Sequence, residues 1–227
     1  MYKILVVEDD LEICDVLRHF LARDGNYSVK IVHEAQSALD ASRQGDFDII
    51  PLDIMLPGMD GINLCAQLRR HVYCPVIYIS CLHDDDTIIK ALQMGGDDYL
   101  TKPFKCPVLL ARIEANLRRM RYGRPLNEQI HEIGNLQIDE KNHTVYKDGE
   151  NKHLSPTEFQ ILLLMIHNRG AVLDMEEIYQ YIWHRPSCGD VRTVKVHVYN
   201  LRKKIETNPS APEYIKTVKN TGYIFEG

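Results

Sequence analysis

The chain has 227 residues and a mass of 26.2 kDa, with 44% hydrophobic and 26% charged residues, 13 Gly and 10 Pro; this is globular composition with room for two domains, which excludes a disordered or fibrous chain. No apolar run reaches the roughly 18 residues of a membrane span, and Met1-Tyr2-Lys3 leads straight into Ile-Leu-Val-Val and three acids, so neither an anchor nor a signal peptide is expected and a cytoplasmic setting is. The net charge of −5 hides a polarity: residues 1–121 hold 14 Lys and Arg against 18 acids, 122–189 hold 6 against 10, and 190–227 hold 7 against 4, so a nucleic-acid partner belongs at the basic carboxyl end.

Short β-rich runs occur at Lys3–Val7, Ser28–Val32, Phe47–Leu52, Pro75–Ile79 and Asp98–Thr101. Helical patterns lie between and after them: Ile88, Ala91 and Leu92 fall at i, i+3, i+4, and Leu109, Ile113 and Leu117 recur every four residues. Five strands alternating with five helices predict an α/β fold over residues 1–120, a doubly wound parallel sheet whose ligand site lies beyond the strands' carboxyl ends. The polar, turn-rich stretch Arg121-Tyr122-Gly123-Arg124-Pro125-Leu126-Asn127 opens a linker over 121–129. In 130–227, strand-like pieces at Leu136–Ile138, Thr144–Tyr146 and Lys152–Leu154 precede Ser155-Pro156-Thr157-Glu158, where an N-cap serine, a proline at the first helical position and a glutamate three residues after the cap announce a helix. Helical patterns over about 156–168, 174–184 and 190–206, then a hairpin from Tyr214–Val218 and Tyr223–Phe225, predict an α+β winged helix. The six cysteines (14, 65, 74, 81, 106, 188) contain no C-x-x-C pair, so neither a disulfide framework nor a zinc site is expected.

Glu8, Asp9 and Asp10 follow the first strand, Asp53 follows the third, Ser80 ends the fourth and Lys102 ends the fifth. In a parallel sheet these converge on one edge, where clustered carboxylates repel unless a cation sits among them. Hard oxygen ligands suit Mg²⁺, which keeps waters and leaves room for a phosphate; an ammonium and a hydroxyl beside it could stabilise a phosphoryl group on one carboxylate. Helix capping accounts for Asp10 alone. The runs V-V-E-D-D, L-D-I-M-L-P-G-M-D-G, S-C, G-G-D-D-Y and T-K-P-F resemble, in order and spacing, the receiver domain of two-component response regulators. The resemblance implies that Glu8, Asp9, Asp53 and the carbonyl of Met55 hold Mg²⁺, and that Asp53 accepts phosphate from a sensor histidine kinase. Lys102 then pairs with the phosphate, Ser80 donates a hydroxyl, Tyr99 is the aromatic switch, and the Lys102–Pro103 bond is cis. A haloacid-dehalogenase-type phosphatase needs an acid two residues after the nucleophile, where Met55 stands, so no enzyme activity is expected. Three positions depart from the pattern: Pro51, which cannot donate to the ladder of a central strand; Cys81, read as a buried small hydrophobe ahead of a redox-sensitive thiol beside the phosphorylation site; and Leu82, where polar residues are frequent.

At 100° per residue Val194, Val198, Leu201 and Ile205 form a core stripe, while Arg192, Lys195, Tyr199, Asn200, Arg202 and Lys203 spread over the other side, with no acid between Arg192 and Lys204. Such a face suits phosphates and base edges. L-S-P-T-E-F-x-I-L-L-L, Ile182-Trp183, R-T-V-K-V-H-V-Y-N-L-R-K-K-I and T-V-K-N-T-G-Y resemble the winged-helix effector of the OmpR/PhoB subfamily. That resemblance makes Arg192, Thr193, Lys195, His197, Tyr199, Asn200 and Arg202 candidates for contacts to double-stranded DNA, in tandem half-sites, with Thr217 and Lys219 in the wing and Trp183 in the core. It further implies a homodimer of the phosphorylated form, with Asp97 and Asp98 pairing with Arg119 and Arg112 of the other subunit; a third pair, usually a cation and an acid, maps to Ile88 and Val108, which are apolar here and either form a small hydrophobic contact at the centre of the interface or both tuck inward; RNA polymerase is a further candidate partner. The competing reading is a constitutive DNA-binding protein whose receiver is only a dimerisation scaffold, which would need neither Asp53, Lys102 nor the acidic pair.

Overall fold

The computed structural model describes residues 1–23, 25–122, 130–183, 187, 191–219 and 221–227, the side chains of 119, 121 and 122 excepted. The chain divides into a unit over Met1–Leu117 and one over Arg118–Gly227.

In the first unit the strands are β1 (Tyr2–Val7), β2 (Tyr27–Val32), β3 (Ile50–Asp53), β4 (Val76–Ser80) and β5 (Asp98–Thr101). The helices are α1 (Leu11–Ala22), α2 (Ala35–Gln44), α3 (Gly61–Leu68), α4 (Asp85–Gln93) and α5 (Cys106–Tyr122). All strand pairs are parallel, in the order β2-β1-β3-β4-β5. β3 and β4 are buried along their whole length because helices cover both faces, which is why their sequences read as continuous apolar runs. One face packs Leu5, Val7, Leu52 and Leu64 together; the other packs Ile4, Val6, Ile77, Leu109 and Ile113. Strands begin and end within three residues of the expected bounds. Arg121 and Tyr122 extend α5, and residues 123–129 of the expected linker lie outside the described residues.

Pro51 sits inside β3, a central strand. Ile50 donates to Pro75 on the β4 side (2.9 Å), so position 51 turns its nitrogen toward β1, where a proline has nothing to give. Accordingly the β1–β3 ladder is interrupted: it survives as Val7↔Leu52 and an isolated Ile4↔Ile49 bridge. Both pairings keep the same offset, so one ladder bond is lost but register, and with it the position of Asp53, is held.

The second unit contains β6 (Ile130–Ile133), β7 (Leu136–Asp139), β8 (Thr144–Lys147) and β9 (Glu150–Asn151) in one antiparallel sheet. Then come α6 (Pro156–His167), β10 (Val172–Asp174), α7 (Met175–Trp183), α8 (Arg192–Ile205), β11 (Ile215–Val218) and β12 (Gly222–Phe225), with β12 pairing antiparallel to both β10 and β11 in the order β10-β12-β11. Ser155 caps α6 in the expected box: its hydroxyl accepts from Glu158 N and the Glu158 carboxylate accepts from Ser155 N, a cap whose loss costs about 1 kcal/mol. Every residue of α6 from Pro156 to Ile166 is buried, so it is the axis of this domain and not a surface helix. Two findings differ from the sequence reading. Lys152–Leu154 is not a strand; the ladder stops at Asn151. β6 and β10 have no counterpart in that reading, being four- and three-residue pieces without a clear alternation. β10 fits because position 222 is glycine: a side chain there would meet the Leu173 carbonyl at 2.0 Å.

Candidate functional site

The carboxyl edge of the receiver sheet gathers the expected residues. One carboxylate oxygen from each of Glu8, Asp9 and Asp53 lies within 4.8 Å of the others. Asp53 closes β3 and is buried; its Oδ1 accepts from Met55 N (2.8 Å) and its Oδ2 from Lys102 Nζ (2.5 Å). The same ammonium is 2.8 Å from the Glu8 carboxylate. Glu8 is 1% exposed, and burial, opposed by the Lys102 hydrogen bond and reinforced by Asp53, pushes its pKa up to about 7. Burial pulls Lys102 down, but its bonds to Asp53 and Glu8 outweigh that and its pKa is raised. Asp9 is exposed. Asp10 caps α1, accepting from Glu12 N and Ile13 N. The Lys102–Pro103 bond is cis. Gly61, at the start of α3, donates to the Ile54 carbonyl, and a methyl there would meet the Asp53 carbonyl at 2.0 Å; this close approach fixes the loop behind Asp53.

Ser80 is buried and its hydroxyl accepts from Leu82 N (3.2 Å); the Tyr99 hydroxyl donates to Leu82 O (2.7 Å). Burial raises the Tyr99 phenol pKa, with a Ser80 hydrogen bond pulling the other way. Leu82 thus connects the two expected switch residues, a role no sequence signal indicates. Cys81 corrects the reading made of it: it is exposed, not a buried hydrophobe.

Asp97 is also a correction. It is fully buried, bound by Arg69 Nη2 (2.5 Å) and Val76 N (2.9 Å), so it cannot reach a second subunit. Arg69, overlooked in the sequence, also donates to the carbonyls of Val72, Cys74 and Gly95. Asp98 already pairs with Arg112 of its own chain (2.6 Å). Ile88 is half-buried and Val108 is 42% exposed; the Arg119 side chain lies outside the described residues.

In the second unit Val194, Val198, Leu201 and Ile205 are buried as expected, and Trp183 is core, stacked on Tyr179 at 4.7 Å. Arg192, Lys195, Tyr199 and Lys203 are exposed, Thr193 and Arg202 half-buried. At 100° per residue the four exposed residues and Arg202 span an arc of about 100°. Lys203 sits over the Tyr199 ring at 5.1 Å. His197 and Asn200 are corrections: both are buried, His197 against Trp183 (ring centroids 5.8 Å), because α8 packs against both α6 and α7 and its apolar side is wider than four positions. Arg202 donates through Nε and Nη2 to Ile215 O and through Nη2 to Thr217 Oγ1, and lies over Tyr223 (5.5 Å), so it ties the helix to the hairpin. Thr217 and Lys219 are exposed on that hairpin.

An acidic pocket at the edge of a 2-1-3-4-5 sheet, followed by a helix-plus-hairpin reader with a cationic face, defines a signal-receiving domain joined to a DNA-binding one. Residues 4–114 match the response regulator receiver domain family, and 149–225 match the family of C-terminal domains of transcriptional regulatory proteins. The response regulator DrrB of Thermotoga maritima, an OmpR/PhoB homologue, is 33% identical over the whole of both chains, with a TM-score of 0.53. A mutant of RitR is 26% identical over the whole of both chains, with a TM-score of 0.84. A two-component response regulator from Clostridium difficile is 36% identical, covering 53% of this chain and 98% of its own, with a TM-score of 0.51. This chain belongs to the response regulators of OmpR/PhoB type. Among the described residues no helix is long and apolar enough to cross a membrane.

Proposed function

We propose that the chain is a phosphorylation-controlled transcription regulator in which Asp53 receives a phosphoryl group from the phosphohistidine of a sensor kinase. The observation that carries this is Asp53 itself: a buried carboxylate at a strand end, 2.5 Å from Lys102 and clustered with Glu8 and Asp9. Three hard oxygen donors fit Mg²⁺. Glu8, Asp9, Asp53 and the Met55 carbonyl would hold Mg²⁺, which would supply positive charge beside the incoming phosphoryl oxygens. Attack by an Asp53 oxygen on phosphorus breaks the bond to the kinase's imidazole nitrogen; Lys102 holds the transferred group's charge, and the Ser80 hydroxyl turns from Leu82 N to donate to it. Tyr99 moves inward with it and remodels the face of α4, β5 and α5. Receivers then pair through Ile88 and Val108, and two effectors with Arg192, Thr193, Lys195, Tyr199, Arg202, Thr217 and Lys219 toward DNA engage adjacent half-sites at raised effective concentration. Residues 1–120 act as receiver and 130–227 as effector, with 121–129 between them.

With acetyl phosphate and Mg²⁺ the wild-type chain gains one phosphoryl mass, and Asp53→Asn gains none. Equal labelling of the variant, or labelling unaffected by a chelator, overturns the assignment.

A further inference from the structure

In the effector unit, three groups far apart in sequence point at one spot. His131 of β6 and His167, the last residue of α6, both direct Nε2 at the same oxygen, Oε1 of Glu140, which follows β7; the His167 distance is 3.0 Å and the His131 contact is a close one. The imidazoles meet edge to face with centroids 5.9 Å apart, and the three donor atoms lie within 4.8 Å of one another. Glu140 is 3% exposed. Among the described residues no Lys or Arg pairs with this carboxylate; the two imidazoles are the side chains that meet it.

Two imidazole nitrogens and one carboxylate oxygen on a common centre form the donor set of a borderline divalent metal. Two histidines with one glutamate hold Zn²⁺ in sites that leave a fourth position to water, whereas Mg²⁺ demands oxygen donors. The set therefore differs in kind from the all-carboxylate pocket of the receiver. We propose that His131, Glu140 and His167 form a zinc site in the DNA-binding domain, independent of phosphorylation. It joins the first strand of the domain to the carboxyl end of α6, the buried helix against which α8 packs. Zinc bound there stabilises the folded effector by mass action and fixes the support beneath the reading helix.

The test uses the full chain, stripped of metal and supplied with excess Mg²⁺ to saturate the acidic pocket. Zn²⁺ titrated calorimetrically binds at one equivalent, and raises the unfolding temperature reported by Trp183, the single tryptophan, buried in this unit. His167→Ala, at a half-exposed position the fold tolerates, and His131→Ala each weaken binding at least tenfold and cancel the thermal shift. Co²⁺ in place of Zn²⁺ shows a spectrum without thiolate charge transfer. Failure of the wild type to bind Zn²⁺, undiminished binding in both variants, or a thiolate band, which would place the metal on cysteines, overturns the site.

Discussion

Replacing either member of the Arg69–Asp97 pair separates a structural role from a role at the dimer face. Asp97 is fully buried and accepts from Arg69 Nη2 and Val76 N. Arg69 is mostly buried and gives four, three of them to the carbonyls of Val72, Cys74 and Gly95. Breaking a buried pair costs about 3–5 kcal/mol because a charge is left uncompensated. In Asp97→Ala the guanidinium keeps its three carbonyls, which places the cost near 3 kcal/mol. In Arg69→Ala the buried carboxylate loses its guanidinium and the three carbonyls lose their donor, so the cost approaches about 5 kcal/mol, a large part of a domain's roughly 5–15 kcal/mol. The single tryptophan lies in the other unit, so the readout is hydrogen exchange of the β4 amides, Val76 to Ser80. Protection falls by about two decades in Asp97→Ala and by three or more in Arg69→Ala, at about 1.4 kcal/mol per decade. If β4 protection is unchanged in Asp97→Ala while dimerisation of the activated protein is lost, Asp97 acts between subunits and the burial argument fails.

At the proposed Mg²⁺ site Glu8 makes binding proton-linked. Its pKa of about 7 in the metal-free receiver means that apparent Mg²⁺ affinity falls about tenfold per pH unit below 7, while the metal-free receiver gains stability as pH drops from 7 toward 4.5, because the folded state holds that proton more tightly; calorimetric titration across pH checks it, and Glu8→Gln removes the dependence. Ile88→Asp weakens the beryllofluoride-activated dimer in sedimentation at low and high salt, since a desolvated aliphatic contact contributes about 1–2 kcal/mol. Lys195→Ala lowers the salt slope of DNA binding by about one unit without altering stability; Arg202→Ala, which also loses its bonds to Ile215 and Thr217, lowers the thermal stability of the effector as well, measured by Trp183 fluorescence.

The receiver is more legible in the sequence than the effector, for a physical reason. Its strands are short apolar runs, its helices amphipathic, and its chemistry sits at strand ends, so Asp53, Ser80 and Lys102 can be located by counting. What pairs with what is not legible. A carboxylate in the stretch Gly95-Gly96-Asp97-Asp98 looks the same whether it faces a partner or folds under Arg69, twenty-eight residues away. In α8 a helical wheel locates the apolar stripe but not its width, because that depends on α6 and α7 packing from two sides; His197 and Asn200 fall on the wrong side of the line. The His131, Glu140 and His167 cluster has no sequence spacing to betray it, since three elements bring it together.

The two hydrogen bonds on Leu82 make the receiver's rest state hard to leave by halves. Ser80 holds that residue's N–H and Tyr99 its carbonyl. Were either side chain to move alone, it would strand a part-buried backbone group at a cost of about 1–3 kcal/mol, with no ligand yet present to offset it. In the proposed switch the two side chains are therefore coupled through Leu82, since moving one removes a partner from the residue that the other holds.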